Sequence, residues 1–116
     1  MKTATDPRHK KREARVSALF AYSFQSTNIP EGITDIIAKL SEVDSVVANA
    51  APEWPLPKIN KIDLAILRET VYELLYDKSV PPKVVVDEAV EIAKRFGSDA
   101  SPGFVNGVLG TILKKG

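Results

Sequence analysis

Four cationic side chains near the start of the chain have a spacing that favours contact with phosphate groups. Arg8, Lys11/Arg12 and Arg15 recur every three or four residues, so on an α-helix they share one face. Cations at a helix N-terminus oppose the helix dipole at a cost of about 0.3–1 kcal/mol each. An external anion such as a nucleic-acid phosphate would offset that cost. The alternative is a solvated charge run that only aids solubility.

The distribution of charge is more informative than its total. The 116 residues include 16 Lys or Arg and 15 Asp or Glu, for a formal net charge of +1. Residues 1–15 hold six of the basic residues and two of the acidic ones, so the rest of the chain is net acidic. Positive potential is therefore concentrated at one end of the sequence.

Composition excludes several classes of function. The chain has no cysteine, which excludes disulfides, thiolate catalysis and cysteine-ligated zinc, and His9 has no second imidazole to complete a histidine metal site. No apolar run approaches the roughly 20 residues that span a bilayer, and the basic N-terminus lacks the apolar stretch of a signal peptide. We therefore predict a cytoplasmic protein without metal or cofactor. Its length fits one domain, 1–116, with residues 1–7 flexible.

Helix signals along the chain predict an all-α fold, a compact bundle of about five helices. Apolar residues recur at helical spacing, and Asp6–Pro7 and Ser101–Pro102 combine a capping residue with a proline in the first turn. Gly97 is a typical helix stop, and three prolines interrupt the chain around Trp54. The predicted helices cover 7–25, 34–49, 60–76, 80–96 and 101–113. The third has the widest apolar face, which indicates a central position.

Two further residues are candidates for nucleic-acid contact, each with a structural alternative. Phe104, in the first turn of the last helix, is either a core anchor or a ring that stacks on an unpaired base. Lys83 is either a phosphate contact or an ordinary surface lysine. Asp87, Glu88 and Glu91 fall partly on one helix face. A solvated face or a dock for a basic protein is favoured there over a metal or acid–base site, because no histidine or fourth ligand joins them.

Three glycines in the last predicted helix require an explanation. Gly103, Gly107 and Gly110 each cost roughly 0.5–1 kcal/mol relative to alanine when they lie inside a helix. No Gly-Lys-Ser/Thr follows them, so they do not form a phosphate-binding loop. They predict close packing against a neighbouring helix.

Ordered sequence blocks lie between residues 54 and 113. They are Trp54, Ile62–Arg68, Tyr72–Leu74, Pro-Pro-Lys-Val at 81–84, Asp-Glu-Ala-Val at 87–90 and Phe-Val-Asn-Gly-Val-Leu at 104–109. In this order they resemble the NusB family of bacterial transcription antitermination factors. A weaker similarity covers Arg12–Tyr22, where a basic start precedes a Leu-aromatic pair. Two features depart from the family pattern: the segment before Trp54 is short, and Asp87 replaces a familiar asparagine.

The resemblance implies a helical RNA-binding protein that catalyses no reaction. It implies binding to a boxA-like single-stranded element of ribosomal leader RNA together with NusE, a small-subunit ribosomal protein, within the RNA polymerase antitermination complex. An acidic face with Asp63 and Glu69 would receive the protein partner. The residues expected at the RNA are Arg8, Lys11, Arg12, Arg15, Lys83 and Phe104.

Two alternatives to an antitermination factor stay open. Similar domains occur at the N-terminus of ribosomal RNA cytosine methyltransferases, but this chain has no catalytic cysteine and no cofactor-binding glycine loop. The second alternative is a protein-interaction module that kept the fold and lost RNA binding. The short segment before Trp54 and the charge of Asp87 are the features that suggest it.

Overall fold

The computed structural model describes residues 6–115, and this part of the chain is helical without any β-strand. The predicted all-α class is confirmed, with one α-helix more than the five expected. No helix in the described range is long and apolar enough to cross a membrane. The elements are α1 (Pro7–Tyr22), α2 (Thr34–Ala38), α3 (Leu40–Ala50), a 3₁₀ turn (Leu56–Lys58), α4 (Lys61–Tyr76), α5 (Pro82–Phe96) and α6 (Ser101–Lys115).

The additional helix arises because the predicted helix 34–49 is broken at Lys39. This residue has φ −114° and ψ 14°, outside the helical range, so α2 ends before it and α3 begins after it. The break lets Ile36 of α2 and Val43 and Val47 of α3 all become fully buried. Neither glycine nor proline marks the position, so no local sequence signal predicts the break.

The N-terminus of α1 forms as its capping signal predicts. The Asp6 carboxylate accepts a hydrogen bond from the Arg8 backbone N–H at 2.9 Å, and Pro7 occupies the first helical position. Of the seven residues expected to be flexible, these two therefore belong to the helix start, and residues 1–5 lie outside the described range. The helix ends at Tyr22, three residues earlier than predicted.

Helix α4 is the centre of the fold, as its wide apolar face predicts. It packs against every other α-helix, and its buried positions extend around most of its circumference. A helix that is buried on nearly all sides is expected to be apolar throughout. However, three acidic residues are buried on α4: Asp63, Glu69 and Glu73. These carboxylates need partners from the surrounding helices.

The glycines of the C-terminal region have two different explanations. Gly97 ends α5 as predicted, but with φ −95° it does not use the left-handed region. A Cβ there would collide with the Ser101 side chain and lie 2.9 Å from the Ala93 carbonyl oxygen, so close packing requires glycine. On α6, a Cβ at Gly103, Gly107 or Gly110 would meet nothing within 4 Å. The prediction that these three pack against a neighbouring helix is wrong, because they face open space.

Candidate nucleic-acid interface and docking groove

The basic face of α1 opens into a cavity of about 460 Å³ between α1 and α4, which we call the basic pocket. All four predicted α1 cations line it. The opposite wall is formed by the C-terminal part of α4 and the residues that follow it, including Tyr72, Tyr76, Asp77 and Ser79. The cations predicted to lie together are Arg8, Lys11, Arg12 and Arg15.

Arg12 lines the base of this pocket and is almost entirely buried there. Its Nε and Nη2 atoms donate hydrogen bonds of 2.8 and 2.9 Å to the two carboxylate oxygens of Glu73, and Nη1 donates to Glu88 at 3.4 Å. The residue is 8% exposed. A bidentate pair of this kind is strong and geometrically specific. The guanidinium is therefore committed to joining α1 to α4 and α5, and this placement does not support the phosphate contact expected from the sequence.

Arg15 is also held by groups of the protein. It donates hydrogen bonds to the Gly32 carbonyl oxygen at 2.9 Å and to Asp35 at 3.1 Å, and its guanidinium lies 5.6 Å from the Tyr72 ring centroid. Gly32 has φ +88°, a left-handed conformation that glycine adopts without strain. Arg15 thus fixes the loop before α2 against α1 and α4, and its side chain is 11% exposed.

Arg8 and Lys11 are the cations of α1 that are both predicted at the RNA and exposed to solvent. The Arg8 side chain is 72% exposed and lies 3.8 Å from the Asp6 carboxylate, a long and solvated pair. Lys11 is exposed at the pocket rim. Both charges are available to an external anion, so the structure separates the predicted set of four into two internal and two accessible cations.

Glu69 and Glu73 form an acid pair behind Arg12. Burial, then the hydrogen bond and charge of Glu73, raise the pKa of Glu69 well above its ordinary value. Burial opposes ionisation of Glu73 as well, but the hydrogen bonds from Arg12 and Glu69 outweigh it, and its pKa is lowered. Of the two carboxyl groups, Glu69 therefore holds a proton more readily, and in that form it can donate to the Glu73 carboxylate. Ionised Glu73 is the member that binds Arg12.

His9 extends this internal network to α5. Its Nδ1 lies 2.8 Å from Glu88 and its Nε2 lies 3.1 Å from Glu13, and Arg95 Nη1 donates to Glu13 at 3.3 Å. Glu88 is 1% exposed, so it belongs to neither a solvated acidic face nor an exposed dock. The sequence signal that would have revealed the network is the pair of glutamates, Glu69 and Glu73, four residues apart on the helix with the widest apolar face.

The acidic partner-binding face predicted on α4 is not at the surface. Glu69 is 2% exposed and Asp63 is 7% exposed, so neither carboxylate is presented to a docking protein. Glu69 belongs to the acid pair with Glu73. Asp63 lies in the first turn of α4, where the helix dipole favours a carboxylate. Its Oδ1 atom has no hydrogen-bond partner within residues 6–115.

Lys83 and Phe104 lie outside the basic pocket. Lys83 is exposed in the first turn of α5. Phe104 is partly buried against the core, and its ring meets Trp54 edge to face with the centroids 6.0 Å apart. Trp54 is one of the residues that carry the family resemblance. It is half exposed and is the more accessible ring of the two. Both the core-anchor and the base-stacking interpretations of Phe104 remain compatible with this position.

A second cavity, of about 610 Å³, is an apolar groove between the end of α1, the start of α4 and the end of α5. We call it the aromatic groove. Phe20, Phe24 and Phe96 are exposed along it, and the Phe20 and Phe24 rings meet edge to face at 5.0 Å. Lys61 lies 5.4 Å from the Phe24 ring centroid. Clustered exposed aromatic rings are a common mark of a protein-docking surface.

Comparison with known proteins identifies the family. The family model for the NusB family matches residues 25–114. The transcription antitermination protein NusB of Lachnoclostridium phytofermentans is 36% identical over 112 residues, covering 90% of this chain and 85% of the relative. The protein of the same name from Herpetosiphon aurantiacus is 35% identical over 139 aligned positions, covering 98% and 94%. Since this chain has only 116 residues, that alignment leaves part of the relative without a counterpart here.

Solved structures agree with the sequence comparison. NusB of T. maritima has a TM-score of 0.84 and 34% identity, covering 99% of this chain and 94% of that one. A crystal structure of the antitermination factors NusB and NusE in complex with dsRNA has a TM-score of 0.79 at 21% identity, covering 96% and 100%, which shows a shared fold. The family match and the relatives of similar length lead to one conclusion: this chain belongs to the NusB family.

Proposed function

We propose that this chain is an RNA-binding transcription antitermination factor that acts with NusE on ribosomal leader RNA. The observation that carries the proposal is its membership of the NusB family over nearly its whole length, through relatives named transcription antitermination proteins. The exposed cations at the start of α1 support it, because RNA phosphates are the anions that such a cluster neutralises. The function is binding, with no bond made or broken, and we place it in the cytoplasm as one domain, 1–116.

The RNA surface that we propose is centred on Arg8 and Lys11 at the rim of the basic pocket. Their solvent exposure leaves them able to contact phosphates, whereas Arg12 and Arg15 hold the helix that presents them. Lys83 stays a candidate phosphate contact because it is exposed. Phosphate contacts set affinity and position, so base recognition requires other side chains, for which Phe104 stays a candidate.

The aromatic groove is the surface that we propose for NusE. Its three phenylalanines form a continuous apolar patch, and Lys61 and Glu13 at its edges offer charges of both signs for orienting a partner. A protein of this fold has been crystallised with NusE and dsRNA. The groove thereby replaces the buried carboxylates of Asp63 and Glu69 as the proposed docking site. Asp63 directly follows Ile62 of the groove lining, in the first turn of α4.

One observation favours the alternative of an interaction module that has lost RNA binding. Two of the four cations predicted at the RNA are internal, so the accessible charge of that set is half of what the sequence indicates. Two phosphate contacts give a weak interaction with a single strand unless base contacts or a partner add to it. The alternative therefore makes a different prediction for RNA binding in the presence of NusE.

Fluorescence anisotropy of labelled RNA tests the proposal. The RNAs are a boxA-like single strand, the same sequence paired into a duplex and a scrambled single strand, each with and without NusE, at about 50 and 200 mM salt. We expect preferential binding to the boxA-like strand that strengthens with NusE and weakens with salt. Equal or absent binding to all three RNAs with NusE present would refute the proposal and leave the interaction module as the function.

A further inference from the structure

The basic pocket has an aromatic wall opposite its cations. Tyr72 and Tyr76, one turn apart on α4, lie with their ring centroids 5.3 Å apart and their planes tilted by 43°. Tyr72 is partly buried, whereas Tyr76 is 42% exposed. Exposed aromatic rings beside a cationic rim are the elements from which single-stranded nucleic-acid sites are built.

Charge within the pocket is arranged in layers. At its base, Arg12 is paired with Glu73 and Arg15 with Asp35, so these four groups contribute no free charge. At its rim, Arg8 and Lys11 are accessible cations. Such a pocket suits a ligand that is anionic outside and uncharged inside, as a nucleotide is when its phosphates remain at the surface.

The wall beside Tyr76 also supplies a hydrogen-bond acceptor. Asp77 accepts hydrogen bonds from the Ser79 backbone N–H at 3.1 Å and from the Ser79 hydroxyl at 2.6 Å, and these bonds lower its pKa. The carboxylate is therefore fixed in place and ionised at neutral pH. An ionised carboxylate accepts hydrogen bonds from the amino groups of a base edge, so a base that stacks on Tyr76 has an acceptor beside it.

The volume of the pocket fits a single base, and a weakly held lysine beside Tyr76 leaves that ring free to stack. Its volume of about 460 Å³ lies within the range of small-ligand pockets. Lys39 lies 5.5 Å from the Tyr76 ring centroid, but its side chain is half exposed and its contact with Glu42 is long, at 4.0 Å. A side chain held this weakly can move aside when another ring stacks on Tyr76.

We propose that the basic pocket binds one unpaired RNA base, which stacks on Tyr76 while its flanking phosphates contact Arg8 and Lys11. The inference rests on the RNA binding proposed above and adds to it the base-reading element. Tyr76 is the base contact, and Tyr72, which is packed between Tyr76 and Arg15, is a positioning residue. The acceptor on Asp77 favours a base that carries an amino group on its exposed edge.

An abasic scan of the RNA tests this proposal. The affinities of the wild-type chain, Tyr76→Ala and Tyr76→Phe are measured, with NusE present, for a boxA-like single strand and for versions that lack one base at each position in turn. We expect one position at which loss of the base weakens wild-type binding by about 5- to 150-fold, the loss that follows removal of one aromatic stacking contact. Tyr76→Ala should be insensitive at that position, and Tyr76→Phe should retain the sensitivity.

Ile29→Ala is the matched control, because Ile29 is as exposed as Tyr76 but lies outside the pocket lining. It should behave as the wild type at every abasic position. Abasic penalties that are identical in the wild type and in Tyr76→Ala would overturn the base pocket and leave the proposed function intact. A weaker interaction of Tyr76→Ala with NusE, with unchanged RNA penalties, would overturn it in favour of a protein contact. Absence of RNA binding by the wild type would instead refute the proposed function itself.

Discussion

The two halves of the basic face of α1 have the same residue types but opposite surroundings. Arg12 and Arg15 point at α4 and the loop before α2, and each is bound by groups of the protein. Arg8 and Lys11, one turn earlier, point at solvent. Each half lies on the same helical stripe, so the helix alone does not distinguish them. What distinguishes them is where the packed helices end, since beyond that limit a nearby carboxylate, such as Asp6 at 3.8 Å from Arg8, is solvated and forms only a weak pair.

A run of cations can therefore be a structural element and a binding site at the same time. The inner pair stabilises the fold through buried contacts, and the outer pair contacts an external anion only if the inner pair holds the helix in place. Variants of Arg12 and Arg15 should therefore lose stability, whereas variants of Arg8 and Lys11 should lose RNA affinity. Four predictions test that division, in order of decreasing effect on stability.

Removal of Arg12 should lower the free energy of unfolding more than any other change considered. Arg12→Ala leaves Glu73 buried without its two hydrogen bonds, and loss of one partner from a buried ion pair costs about 3–5 kcal/mol. Urea unfolding followed by circular dichroism measures the change in the free energy of unfolding. If the variant is as stable as the wild type and has lost only RNA affinity, Arg12 is an RNA contact and the division is wrong.

Removal of Arg15 should lower the free energy of unfolding less than removal of Arg12 does. Arg15→Ala removes hydrogen bonds to Gly32 and Asp35, at about 1.5–3 kcal/mol. The cost is lower than for Arg12 because the Asp35 side chain is 46% exposed and water can solvate it after the change. Burial opposes ionisation of Asp35, yet Arg15 lowers its pKa, so that pKa should rise in the variant. An NMR titration of Asp35 that shows no rise would contradict the pairing.

Neutralising Glu69 should change the pH dependence of stability. Because the pKa of Glu69 is raised in the folded state, the folded protein binds more protons than the unfolded chain above the ordinary glutamate pKa, about 4.3. Stability from this group is thus complete at lower pH and declines as pH rises towards the folded-state pKa. Glu69→Gln keeps a donor for Glu73 and cannot ionise.

The stability advantage of Glu69→Gln over the wild type should therefore grow as the pH rises above the ordinary glutamate pKa of about 4.3. Urea unfolding at several pH values measures it. Glu73→Gln is the contrasting variant, because the pKa of Glu73 is lowered and its ionised form is the one that binds Arg12. It should be less stable than the wild type at neutral pH. Parallel pH curves for the wild type and Glu69→Gln would show that Glu69 is not the protonated member of the pair.

Removal of the outer cations should change stability least and RNA binding most. Arg8→Ala/Lys11→Ala should unfold within about 0.5 kcal/mol of the wild type, because exposed side chains outside any network contribute little. For a single strand, loss of two phosphate contacts should flatten the slope of log affinity against log salt by about 1.4. Anisotropy titrations at four salt concentrations measure that slope. An unchanged slope would place the phosphate contacts elsewhere, with Lys83 as the next candidate.

The fold was predictable from the sequence to a greater extent than the site. Helix starts at Asp6–Pro7, the stop at Gly97 and the central position of α4 follow from capping residues and apolar spacing, which act over a few neighbouring residues. The break at Lys39 was missed because packing of both halves on the core produces it, without a local breaker. The open face at Gly107 was missed because glycine spacing cannot tell a packed helix face from a bare one.

The helical class, the family resemblance and the grouping of four cations on one face of α1 follow from the sequence alone. Which of these cations are free depends on tertiary packing, since Arg12 donates hydrogen bonds to Glu73 and Glu88, which lie 61 and 76 residues away along the chain. The difference comes from the range of the interactions. Helical periodicity is set by neighbouring residues, whereas burial and ion pairing depend on surfaces that meet only when distant helices pack.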